Sequence, residues 1–276
     1  MTTSANHQLI YTASGNPANP LLILIHGWGS HRGVWRTTIP TFQDRFYCIA
    51  VDLLGFADNE KPDDGDYSIA AQAQRVVTLA DELGFKTFNL MGHSMGGQIA
   101  TYIAALAAPE RVERLVSVGG VVTGQLSPYM KYIMFPNALW GRAMPVVYDL
   151  SRRWVEQYRW YANFVFWTWF YDLYFTAFDD WKIDRQLALQ RSASKSLVSA
   201  FRSIRKTDLT AHLDCIQAKT LILFGEYDGA VPVHQAHLLK KRIANAQLVL
   251  YDKCGHFPMF EKTDAYLVTL NSFLAS

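Results

Sequence analysis

The sequence predicts an α/β fold: a mostly parallel, doubly wound sheet with one helical insertion. Three observations predict it. Short, continuously apolar runs recur along the chain. Stretches of helical periodicity lie between them. One segment of about 80 residues, with a composition of its own, breaks the alternation once.

The runs LLILIHG (21–27), FYCIAVD (46–52), FNLMGHS (88–94), RLVSVGG (114–120), TLILFGEYD (220–228) and AQLVLYD (246–252) read as strands. They are apolar throughout rather than alternating, as parallel strands covered on both faces require. SIAAQAQRVVTLADELG (68–84) reads as a helix capped by Ser68 and ended by Gly84. GGQIATYIAALAA (96–108) places Ile99, Ile103 and Leu106 at helical spacing.

The segment 123–206 holds six of the eight tryptophans (Trp140, Trp154, Trp160, Trp167, Trp169 and Trp181) and twenty aromatic residues in all. Ligand pockets are mainly apolar and aromatic. The core is therefore assigned to 1–122 and 207–276, and 123–206 to a helical cap. The cap is expected over the carboxyl ends of the strands, where such sheets bind ligands. Trp140 and Trp167 of the cap, with Phe257 of the core, are the expected substrate-lining residues. The aromatic run WYANFVFWTWFYDLYFTAF (160–178) competes as a membrane span. About twelve residues separate Arg159 from Asp172, against roughly 20 for a crossing. Weak contact of the cap with a lipid interface fits the same composition.

Half of the residues are hydrophobic, enough for a sizeable core, and the net charge of +2 argues against nucleic acid as a partner. Cys48, Cys215 and Cys254 form neither a zinc pattern nor a disulfide framework. The N-terminal MTTSANHQ has no basic or apolar signal region, so a soluble, cytoplasmic protein is expected. GGVVTG lacks the dinucleotide-binding spacing and no metal-ligand cluster stands out, so no cofactor and no metal are expected.

Chemistry enters at GHSMGG (92–97), where the apolar run gives way to a helix. Ser94 lies between glycines on a sharp turn, the G-x-S-x-G pattern that pushes a hydroxyl out of a sheet. Chance alone yields that pattern in roughly one random chain in ten, so its context carries the weight. A serine needs a base. His256 follows the last strand in YDKCGHFPMFEK (251–262) and is placed to reach back, whereas His26 and His93 read as packing residues. The base needs a carboxylate. Asp228 ends a strand in LILFGEYDGAVP (221–232), and Glu226, two residues earlier, is the alternative. HGWG (26–29) offers close backbone approach, so the N–H groups of Trp28 and Met95 form the expected oxyanion hole.

HGWG, VDLLGFADNEKP, GHSMGG, GEYDGAVP and CGHFPMFEK follow one another in an order and spacing that resembles the capped α/β-hydrolase superfamily. The resemblance covers nearly the whole chain and implies a serine carboxylesterase or lipase. It departs at Ala57, where the family usually has glycine, and at Asn59, where it usually has serine. The short stretch before QLIYTASG (8–15) leaves little room for the family's first strand. Dehalogenases and epoxide hydrolases of similar layout use an aspartate nucleophile, which Ser94 argues against. The expected reaction is hydrolysis of a small apolar ester with a short-to-medium acyl group. The alternatives are a carbon–carbon hydrolase acting on a diketone, though Phe257 stands where that group often has tryptophan, and a small-ligand receptor built on the same fold.

Overall fold

The computed structural model describes residues 8–144, 146–147, 150, 153–154, 157–172 and 194–275. In chain order the main elements are β1 (Ile10–Ser14), β2 (Leu21–Ile25), β3 (Tyr47–Asp52), α1 (Ile69–Glu82), β4 (Phe88–His93), α2 (Met95–Tyr102) and β5 (Val112–Val118). Then follow α3 (Phe135–Ala143), α4 (Arg159–Phe166), α5 (Ser194–Lys206), β6 (Lys219–Gly225), α6 (His234–Arg242), β7 (Ala246–Tyr251) and α7 (Thr263–Ala275).

The strands form one seven-stranded sheet in the order β1-β3-β2-β4-β5-β6-β7. All pairs are parallel except β1 with β3. Every side chain of Leu21–Ile25 is buried, because β2 has a strand on each edge and cover on each face. The connections reverse direction between β2 and β4, so the crevice of a doubly wound sheet opens at their carboxyl ends.

Two expectations change in detail. The stretch QLIYTASG does supply a strand: Ile10–Ser14 pairs antiparallel with Asp52 through Cys48. It is a largely exposed edge, so its side chains show no core pattern. The strands also end sooner than their apolar runs, β2 at Ile25, β4 at His93 and β6 at Gly225. There the chain leaves the sheet, and the residues just beyond include Trp28, Ser94 and Asp228.

Helix α1 begins where Ser68 accepts a hydrogen bond from the Ala71 N–H at 3.2 Å, and Gly84 follows its end at φ 81°. It buries Ile69, Ala73, Val76, Val77 and Ala80, one helical face.

Between β5 and β6 the described residues are mostly helical. Two buried glutamines fix the ends of this insertion. The Gln235 Oε1 accepts from the N–H groups of Val122 and Thr123, at 2.7 and 3.0 Å, and its Nε2 donates to the Gln125 carbonyl. The Gln98 Nε2 donates to the carbonyls of Ile204 and Thr207, at 3.2 and 2.9 Å. Helix α5 buries Leu197, Ala200, Phe201 and Ile204 at helical spacing. Phe135 of α3 stacks on Phe201 at 4.5 Å. Trp181 lies outside the described residues, and Trp140 is described only as a backbone position in α3.

Candidate active site

Ser94 joins β4 to α2 at φ 55°, ψ −115°, a conformation that costs a non-glycine residue about 1–3 kcal/mol. Its neighbours enforce it. The Ser94 N–H donates to Val118 O at 2.9 Å, and its carbonyl accepts from Gln98 and Val121 N–H groups. Only glycine permits the turn to be so tight. A Cβ on Gly92 would lie 2.2 Å from the Gly96 carbonyl oxygen, and one on Gly96 would lie 2.1 Å from that of Ile25.

His256 stands on the loop after β7 and is buried. Its Nδ1 is 2.7 Å from the Asp228 Oδ2, which fixes the tautomer and leaves Nε2 as the ring's acceptor. Asp228 is held in turn: Oδ1 accepts from the N–H groups of Ala230 and Val231, at 2.9 and 2.8 Å. These bonds compensate its burial. Glu226, the alternative acid, is exposed. Ser94 and His256 line one cavity of about 30 Å³, together with Gly27, Trp28, His93, Met130, Trp169 and Phe257.

The HGWG loop meets Ser94 from the β2 side, since a Cβ on Gly27 would stand 3.1 Å from the Ser94 Cβ. Trp28 is anchored by its indole N–H, which donates to Leu197 O at 2.8 Å. Met95 opens α2, so its N–H is among those a helix leaves without an internal partner. Both N–H groups therefore belong to backbone that is held beside Ser94.

Two further buried histidines add no charge: His93 adjoins His256, and His26 lies at the start of the HGWG loop. His26 donates from Nδ1 to Gly27 O and accepts at Nε2 from the Leu53 N–H. Burial pushes its pKa down to about 4. His93 donates from Nε2 to His256 O at 2.9 Å, and burial, aided by the neighbouring His256, holds it well below the usual imidazole range. In the loop after β3, Ala57 adopts φ 47° where the family's usual glycine would be unstrained. Asn59 is buried and satisfied: Nδ2 donates to Asp52 O, and Oδ1 accepts from the Glu60 N–H.

The aromatic expectations divide. Phe257 lines the cavity. Trp167 does not: it is 57 % exposed and meets only the edge of Tyr129 among the described aromatic contacts. Trp169, two residues on, takes the lining position instead. The side chain of Trp140 lies outside the described residues. Val146, Trp160 and Phe164 of the insertion are also exposed.

Glu261 is a buried carboxylate that sequence reading did not single out. Its Oε1 accepts from the Gly255 N–H at 2.9 Å and its Oε2 from the Tyr171 N–H at 2.7 Å. Burial pushes its pKa up from the ordinary 4.5 to about 7, against the pull of these donors and with a smaller push from Asp228. The Cys254 thiol also faces it. The folded chain thus holds this proton more tightly than the unfolded chain. The contribution of Glu261 to stability is fullest below pH 4.5 and is lost as pH rises through about 7. Relative to Glu261→Gln, the wild type should lose about 3 kcal/mol between pH 4.5 and pH 8. Urea midpoints at both pH values check this, and parallel pH dependence in the two proteins contradicts it.

Among the described residues no group of three or more His, Cys, Asp or Glu is placed to hold a metal ion. No described helix is long and apolar enough to cross a membrane.

The family model for the alpha/beta hydrolase fold matches residues 20–263. The chain is 26 % identical over 254 residues to the pimeloyl-[acyl-carrier protein] methyl ester esterase of Nitrosomonas europaea, covering 90 % of this chain and 93 % of that one. It is 29 % identical over 268 residues to a 2-hydroxymuconate semialdehyde hydrolase of Pseudomonas putida, covering 92 % and 86 %. Among solved structures, a bacterial membrane phospholipase A superimposes with a TM-score of 0.77 at 26 % identity, over 97 % of this chain and 82 % of that one.

Proposed function

The chain belongs to the α/β-hydrolase family, and on that footing we propose that it hydrolyses carboxylic esters of short-to-medium apolar acids through an acyl-enzyme on Ser94. One observation carries the reading. Ser94, on its strained turn, opens into the same cavity as a His256 whose Nδ1 is bonded to Asp228. His256 Nε2 takes the hydroxyl proton as Ser94 Oγ attacks the ester carbonyl. The N–H groups of Trp28 and Met95 receive the charge that develops on the oxygen, each worth about 3–4 kcal/mol in the transition state. His256 then protonates the leaving alcohol. Water, deprotonated by His256, attacks the acyl-enzyme and restores Ser94.

Residues 123–206 act as a cap in this reading. Met130 and Trp169 bring its apolar surface to the cavity opposite Phe257. About 30 Å³ holds one or two waters, so an acyl chain needs more room than this cavity alone offers. Each methylene it buries gains about 0.8 kcal/mol, nearly fourfold. On p-nitrophenyl esters in detergent-free buffer, kcat/KM should climb from acetyl to about hexanoyl or octanoyl and then fall. A maximum at acetyl, declining thereafter, would mean that the aromatics only glue the cap to the core.

Similarity to the semialdehyde hydrolase favours a second reading, carbon–carbon hydrolysis of a vinylogous diketone. The same assay separates the two. Negligible ester turnover with rapid diketone cleavage replaces the esterase reading. A stoichiometric burst without turnover points to a receptor.

A further inference from the structure

Residues Thr168–Tyr171 of the insertion form a strap across both loops that bear the His256–Asp228 pair. The Gly229 N–H, next to Asp228, donates to Thr168 O at 3.1 Å, and the His256 N–H donates to Trp169 O at 2.7 Å. The third tie is a side chain. Glu261 accepts from Tyr171 of the strap with one carboxylate oxygen and from Gly255, the residue before His256, with the other. The strap lies flat on this loop. A Cβ on Gly255 would stand 2.5 Å from Trp169 O and 2.9 Å from the Phe170 Cα. Phe170 stacks on Phe257 at 5.1 Å.

A buried carboxylate is costly, and a glutamine or an apolar side chain would fill the same space. Only a carboxylate offers two acceptor oxygens to two N–H groups from separate segments. We propose that Glu261 is a positioning residue: it couples seating of the insertion's strap to alignment of His256 with Asp228. It does not itself line the cavity. It acts by fixing the backbone on either side of His256, so the pair is aligned while the strap is down and loosened when it lifts. The proposal rests on the serine-hydrolase reading for its effect on turnover, but not for its effect on His256 itself.

The test is Glu261→Gln, which keeps the shape and turns one acceptor into a donor. Two readouts are taken: kcat and KM on p-nitrophenyl butyrate, and the low-field Nδ1 proton resonance of His256, assigned by its absence in His256→Ala. The expected result is a kcat lowered about 10- to 100-fold with KM within about twofold, and a resonance broadened or shifted, in protein that remains folded by circular dichroism. Tyr171→Pro removes the strap's donor from an exposed position and should do the same. It decides the matter alone if Glu261→Gln does not fold. Wild-type kcat and an unchanged resonance in the folded variants overturn the proposal. So does a kcat that falls only with the folded fraction. Ser94→Ala in the same assay isolates the underlying reading: if it keeps turnover, that reading fails, and the resonance alone decides the role of Glu261.

Discussion

Ser94→Ala should lose at least about three orders of magnitude in turnover, some 4 kcal/mol of transition-state stabilisation, while its melting curve stays close to wild type. The change removes one oxygen from a half-buried side chain. It leaves intact the backbone bonds of the turn, to Val118, Gln98 and Val121. Alanine is as strained as serine at φ 55°, so the conformational cost is unchanged. Activity and stability therefore part company at this residue. Steady-state turnover on p-nitrophenyl butyrate with matched thermal melts is the check, and a variant with wild-type turnover would sink the serine reading.

Asp228→Asn should cost about 10⁴ in turnover with the fold retained. The amide is isosteric, and its carbonyl oxygen can keep the bonds from Ala230 and Val231. The position of Oδ2 then holds an NH₂, which donates to His256 Nδ1 rather than accepting from it. The ring is turned to the tautomer with its proton on Nε2, where it cannot take one from Ser94. Glu226→Gln should be nearly silent because that side chain is exposed. A crippling Glu226→Gln beside a mild Asp228→Asn would reverse the assignment of the acid.

Local patterns were legible where one residue's environment fixes its type. LLILI read as a doubly covered strand, and all five side chains are buried. The glycines around Ser94 announced a tight turn because no Cβ fits there. The strand that sequence reading left without room, Ile10–Ser14, is an exposed edge whose side chains answer to solvent on both faces. Composition sets residues 123–206 apart as aromatic-rich but does not say which of those side chains face inward. Trp167 and Trp169 differ by two residues and take opposite fates, one exposed and one lining the cavity. The role of Glu261 depends on Tyr171, 90 residues away. No local periodicity reports such a contact, although a glutamate among Met259, Phe260 and a proline turn is a weak sign of a buried carboxylate.

The most direct test of Ser94 as the activated nucleophile is covalent labelling with a fluorophosphonate, followed by peptide mass mapping. A single adduct is expected, on the peptide containing Ser94. It should be absent from Ser94→Ala and form far more slowly in Asp228→Asn, where His256 no longer accepts the hydroxyl proton. An adduct on another residue, or rapid ester turnover by protein that takes up no label, would contradict the assignment of Ser94, His256 and Asp228 as one catalytic unit.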